Sequence, residues 1–153
     1  MKPWGDFNDA PGLPWEEDAT SINHGAIANF LEVVFGYCDG LIPVRGFVDQ
    51  GQGLDTRPHN IWVQADASAP ELISTYAAWA AREGTAVYVI PGTVAEHGQA
   101  RAEHVRQMQA AVVDLDTGDV EAKLAHLIQH LGSPTLVVQS GGRTAEGAAK
   151  LHA

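Results

Sequence analysis

Six residues in the last forty positions carry the side-chain types that phosphate chemistry uses: Asp114, Asp116, Ser140, Arg143, Lys150 and His152. Asp114 and Asp116 follow the apolar run Ala110-Ala111-Val112-Val113 and are separated by Leu115 alone. Alternation along a strand puts both carboxylates on one side, where both can reach the same cation. Hard oxygen ligands suit Mg²⁺ or Mn²⁺, ions that also bridge to substrate phosphates. An apolar run feeding directly into two acids favours a metal site, because burying unpaired carboxylates is costly. The plainer reading is that Asp116-Thr117-Gly118-Asp119 is a polar turn ending in a helix cap. Further on, Ser140-Gly141-Gly142 makes a small strand exit at which a phosphate can approach backbone N–H groups. Arg143, Lys150 and His152 are then available to bind its oxygens. Taken alone, Gly141-Gly142 is an ordinary turn.

His126 and His130 stand four apart, a spacing at which two imidazoles on a helix can share a metal. The apolar face of that helix is Val120, Leu124, Leu127, Ile128 and Leu131, and both histidines point away from it, so we expect them to be solvent-exposed. His24, His59, His97 and His104 have no partner at ligand spacing.

These residues need elements to position them. Residues 1–20, rich in Pro, Gly, Trp and acids, read as an irregular acidic arm. Helical spacing of Ile27, Leu31, Val34 and Phe35 predicts a helix over 22–37, capped by Ser21. A strand follows at 41–48, with Pro43 favouring a sheet edge, then a loop at 49–58 and a short strand at 60–64. Pro70 opens a helix that Gly84 closes, with Leu72, Tyr76 and Trp79 on its core face. Thr85–Ile90 reads as a strand by its β-branched content, and 93–108 as a loop with a helical turn. The apolar run 110–115 reads as a central strand buried on both faces. Asp119 then caps a helix over 120–131, Gly132-Ser133-Pro134 stops it, and 135–139 is the next buried strand. A glycine-containing loop is expected from 141 to 147. The element order gives an α+β (mixed α/β) fold with a central sheet flanked by helices; the strand-helix-strand unit at 110–140 is either βαβ-like or antiparallel within that sheet.

Composition narrows the function classes. The 153 residues form one domain of ordinary size, with 45% hydrophobic and 18% charged residues. A single cysteine, Cys38, excludes a disulfide framework and a thiolate zinc cluster. With no secretory signal and no apolar stretch of roughly 20 residues, we expect a cytoplasmic protein without a membrane span. Nineteen acids against nine Lys and Arg give a net charge of −10. That balance rules out a protein that coats duplex DNA, where phosphate neutralisation supplies most of the affinity. It leaves room for a catalytic module that meets nucleic acid through metal ions and a few cations.

Three stretches resemble the archaeo-eukaryotic primase superfamily, in particular the primase-polymerase domains of RepB-like plasmid and phage replication proteins. They are Val87-Tyr88-Val89 upstream of a segment holding Arg101 and Arg106, Ala111-Val112-Val113-Asp114-Leu115-Asp116, and Thr135 to Gly142 followed by Lys150-Leu151-His152. The resemblance covers roughly residues 40–153, so that 21–153 is expected to be the N-terminal portion of such a domain. It implies a DNA primase or polymerase acting by two-metal nucleotidyl transfer. Asp114 and Asp116 would be metal ligands, and Ser140 and His152, helped by Arg143 and Lys150, would contact the incoming nucleotide. It further implies Mg²⁺ or Mn²⁺ as cofactor, with nucleoside triphosphates, a single-stranded DNA template and a replicative helicase as partners. The family places a third acidic ligand on a later strand; nothing acidic follows Glu146 here, so the site is expected to be incomplete on this chain. Eight residues from Arg143 to Lys150 also separate the glycine pair from Leu151-His152, a longer connection than many relatives have. Two other readings stand beside this one. Asp114-Leu115-Asp116-Thr117-Gly118 also resembles the first motif of haloacid-dehalogenase-like phosphatases, with Asp114 as nucleophile and Asp116 as acid/base. The third is a non-catalytic remnant of the primase fold that binds a nucleotide or partner.

Overall fold

The computed structural model describes residues 22–48 and 58–153. The expected arm at 1–20, the Ser21 cap and most of the 49–58 loop lie outside the described residues. Helix α1 (His24–Phe35) is capped by Asn23, not Ser21: the Asn23 side chain accepts from the Ala26 N–H at 2.9 Å, satisfying a donor that the first helical turn leaves without a partner. Strands β1 (Leu41–Val48), β2 (His59–Gln64) and β3 (Thr85–Val89) form an antiparallel sheet in the order β2-β1-β3. Helix α2 (Ala69–Arg82) joins β2 to β3, with Pro70 in its first turn and Gly84 at φ +62° just beyond its end. Asp66, whose carboxylate accepts from both the Ser68 N–H and the Ser68 hydroxyl, organises the turn into α2, and those two bonds hold its pKa below the ordinary value.

Contrary to expectation, Pro43 sits in the central strand of this sheet. Its carbonyl accepts from the Ile90 N–H, one residue past the end of β3. In an antiparallel ladder a residue's N–H and C=O point to the same neighbour. The proline nitrogen therefore points where β3 has already ended, and no ladder bond is lost.

The core lies under this first sheet. Ile42, Val44, Ile61 and Val63 alternate inward, and Leu31, Val34 and Phe35 of α1 with Ile73 and Tyr76 of α2 close over them. Tyr76 is fully buried, and its hydroxyl donates to the His59 carbonyl at 2.8 Å. Gly46 makes room for it, since a Cβ there would collide with the Tyr76 hydroxyl and come within 2.9 Å of Thr85 Cγ2. Leu72 and Trp79 pack against the same cluster, as their spacing predicts.

A second antiparallel sheet follows, in the order β4-β6-β5: β4 (Asp114–Leu115), β6 (Ala149–His152) and β5 (Val138–Arg143), with α3 (Val120–Leu131) between β4 and β5 in sequence. The protein is thus α+β, but with two small sheets in place of one central sheet. Three further expectations change here. Residues 110–115 do not make a buried central strand: only Asp114 and Leu115 pair, at a sheet edge, and Val112 is 45% exposed. The strand expected at 135–139 starts at Val138 and is likewise an edge strand. Gly141 and Gly142, expected in a loop, belong to β5, and the turn is at 144–148. In each case hydrophobicity marked strand-forming residues, while hydrogen bonding to β6 set where the strands begin and end.

Burial of the Tyr76 phenol pushes its pKa from 10.0 up to about 12. The fold favours the neutral form, so this contribution is complete below pH 10 and fades as pH rises toward 12. Tyr76→Phe should cost about 1–2 kcal/mol near neutral pH by stranding the His59 carbonyl. In urea unfolding, the gap between wild type and variant should narrow through that alkaline window.

Candidate functional site

The segment running from β3 into β4 carries the first sheet's order to the second. Val94 and Leu41 exchange backbone hydrogen bonds, and so do Thr93 and the 106–107 segment. Gly40, at φ +98°, brings its Cα so close to Val94 that an added Cβ would stand 2.8 Å from the Val94 carbonyl oxygen. Two glutamines complete the join. Gln107 Oε1 accepts from the Asp39 N–H at 2.6 Å. Gln109 Oε1 accepts from the Tyr37 N–H at 2.6 Å, and its Nε2 donates to the carbonyls of Val33 and Glu32 at 2.8 and 3.3 Å. Gln109 thereby satisfies groups that the last turn of α1 leaves open. Five residues later the chain reaches Asp114.

Asp114 pairs directly with His152, and His152 with Val138 on its other side. Residues directly opposite in an antiparallel ladder share a face, so the Asp114 and His152 side chains stand together. His152 Nε2 lies 3.4 Å from Asp114 Oδ1, an ion pair whenever the imidazole is protonated, with both side chains partly open to solvent. Lys150, two residues before His152, lies on the same face by alternation, and its stem runs across Gly142, where an added Cβ would stand 3.0 Å from Lys150 Cδ. Asp116 follows the paired strand and is half-buried. Asp119 caps α3, accepting from the Ala122 N–H at 2.9 Å, so the turn-and-cap reading of 116–119 holds beside any role for Asp116.

Ser140 lies in β5, two residues beyond Val138. Arg143 goes elsewhere: its Nη1 donates to the Gly147 carbonyl at 2.8 Å and closes the β5–β6 turn. Arg101 forms an exposed ion pair with Glu103 at 3.7 Å. No group of three or more His, Cys, Asp or Glu is arranged to hold a metal among the described residues. Nothing in the sequence pointed to Gln107 and Gln109, since two polar residues in a loop look the same whether or not a helix end waits for them. His152 also borders a cleft of about 660 Å³, walled by Phe30 and Val33 of α1, by Tyr37 just past its end, and by Leu124, Leu127 and Leu131 of α3.

Comparisons with protein-family models, curated proteins and solved structures found no match. Among the described residues no helix is long and apolar enough to cross a membrane.

Gln109→Ala removes the contacts that tie α1 to the approach to β4. It should lower stability by about 1–2 kcal/mol in denaturant unfolding. Because the two halves meet there, amide exchange should quicken at 37–39 and around Asp114 together.

Proposed function

We propose that this chain carries the metal- and phosphate-binding part of a nucleotidyl-transfer site of the primase-polymerase type. The observation that supports it is the register of the second sheet, which sets Asp114 directly opposite His152 with their side chains 3.4 Å apart. The donor set fits a hard divalent ion in part. Asp114 and Asp116 offer carboxylate oxygens, and a Mg²⁺ or Mn²⁺ ion commonly keeps water and phosphate oxygens in its remaining positions. Bound there, such an ion would lower the pKa of an attacking hydroxyl and offset charge on a triphosphate.

The protein groups divide the remaining work. His152 donates to a phosphate oxygen from the same face as the Asp114 carboxylate, and Lys150 adds a positive charge two residues away. Ser140, a residue of β5, is the hydroxyl this reading assigns to the same phosphates. Together they hold a nucleoside triphosphate in line for attack. A single-stranded DNA template and a replicative helicase are the partners this reading carries. The scarcity of ligands, with no group of three His, Cys, Asp or Glu arranged to hold a metal among the described residues, favours as second reading a nucleotide-binding remnant without catalysis.

Calorimetric titration with Mn²⁺ and a nucleoside triphosphate tests the proposal. Metal-dependent binding should appear in the wild type and fall at least roughly tenfold in Asp114→Ala/Asp116→Ala, in line with loss of charge-assisted contacts. His152→Ala should weaken triphosphate binding more than metal binding. Folded protein that binds neither would overturn both readings. Binding without primer extension on a single-stranded template would leave the non-catalytic one. Hydrolysis of a simple phosphate monoester that is lost in Asp114→Ala would instead point to a phosphatase.

A further inference from the structure

His126 and His130 of α3 form a cluster that the candidate site does not use. Positions four apart on a helix stand one above the other on the same face. Here the two ring centroids lie 4.3 Å apart, with the planes inclined by 54°. Both histidines are exposed, whereas Leu124, Leu127 and Leu131 of the same helix turn into the cleft. The nearest cation on the helix, Lys123, is held by Thr117: its Nζ donates to the Thr117 carbonyl at 2.7 Å and to the Thr117 hydroxyl at 3.1 Å. Its charge is thereby drawn toward the loop before α3 and away from the turn that His130 occupies.

We infer that His126 and His130 form a two-imidazole site for a transition-metal dication such as Zn²⁺, Ni²⁺ or Cu²⁺. Metal–nitrogen bonds to histidine run about 2.0–2.1 Å, so one ion bound to a nitrogen of each ring stands roughly 3 Å from either centroid. Rings 4.3 Å apart are within the span of a single ion. Imidazole suits these borderline ions, while carboxylate oxygens suit Mg²⁺ and Mn²⁺. The pair is therefore chemically distinct from Asp114 and Asp116. No third His, Cys, Asp or Glu joins the pair among the described residues, so water fills the remaining positions and binding is reversible.

The consequence falls on α3. Its one buried side chain is Val120, in the first turn, and the histidines lie in the half of the helix that packing holds least. An ion bridging them clips the helix across one turn. The unfolded chain does not present the two rings together, so binding should stabilise the folded state. The site does not depend on the nucleotidyl-transfer reading and stands or falls separately from it.

The test is calorimetric titration of the untagged, chelator-stripped full chain with ZnCl₂ and NiCl₂ near neutral pH, alongside thermal melts followed by circular dichroism. In the Asp114→Ala/Asp116→Ala background, which removes the carboxylate site, one saturable site is expected. His126→Ala and His130→Ala should each weaken it roughly 10–100-fold, the loss expected when the second, intramolecular contact disappears. His24→Ala, an exposed histidine outside both sites, should bind as the parent does. In the Asp114→Ala/Asp116→Ala background the metal should raise Tm, chelator should reverse the shift, and MgCl₂ should not reproduce it. Both substituted positions are exposed, and the glutamine variants at the same positions check that loss of binding is not loss of folding. A wild type without saturable binding, or alanine variants that bind as tightly as the wild type, would overturn the inference.

Discussion

The glutamine contacts between α1 and the approach to β4 are the join on which the geometry of the second half depends. Gln109 uses both ends of its amide, accepting from the Tyr37 N–H and donating to the carbonyls of Glu32 and Val33. Gln107 accepts from the Asp39 N–H. Each bond contributes only about 0.5–1.5 kcal/mol net. Their value here is positional, because the groups they satisfy lie at the end of α1 and in the turn that follows it, and the chain they come from leads to Asp114. Together with the backbone bridges at Leu41–Val94 and Thr93–Gln107, they tie the well-packed first sheet to the sparsely packed second one.

The two halves are held by different means. The first buries a continuous cluster from α1, α2 and the inner face of β1 and β2. In the second, Leu115 and Val120 are the buried hydrophobic residues, whereas Val112, Ile128, Leu131 and Val137 are 41–78% exposed. Order there comes mainly from hydrogen bonding: β6 pairs with β4 and β5, and Val113 and Ala153 exchange backbone bonds at one end. The register that sets Asp114 opposite His152 is specified by this ladder. A slip of one residue would pair Asp114 with Leu151 or Ala153 and turn the imidazole to the other face.

Much of the fold was legible because local chemistry and tertiary packing agree. The three helices fall within a few residues of their expected spans, Pro70 and Gly84 bracket α2, and Asp119 caps α3. The misjudged positions share a cause. Pro43 was expected at a sheet edge because proline lacks a donor, but whether a donor is needed depends on where the neighbouring strand ends. The runs 110–115 and 135–139 were expected to be buried because they are apolar, but burial depends on what covers them. Of the candidate site residues, Asp114, His152 and Lys150 share one face of a sheet, and Arg143 closes a turn instead. Its charge and its place beside Gly142 made it a plausible phosphate ligand. A carbonyl four residues further on in a tight turn was the nearer partner.

The sequence by itself determined where the three helices lie to within a few residues, the inward face of α2, and the residue types able to hold a cation and a phosphate, since these follow from short-range spacing and side-chain chemistry. Only the tertiary structure decided that there are two sheets, that β6 lies between β4 and β5, and that Asp114 meets His152. Strand pairing joins residues far apart in the chain, and the ladder's hydrogen bonds are made by backbone groups common to nearly every residue. Their partners are chosen by the fold as a whole.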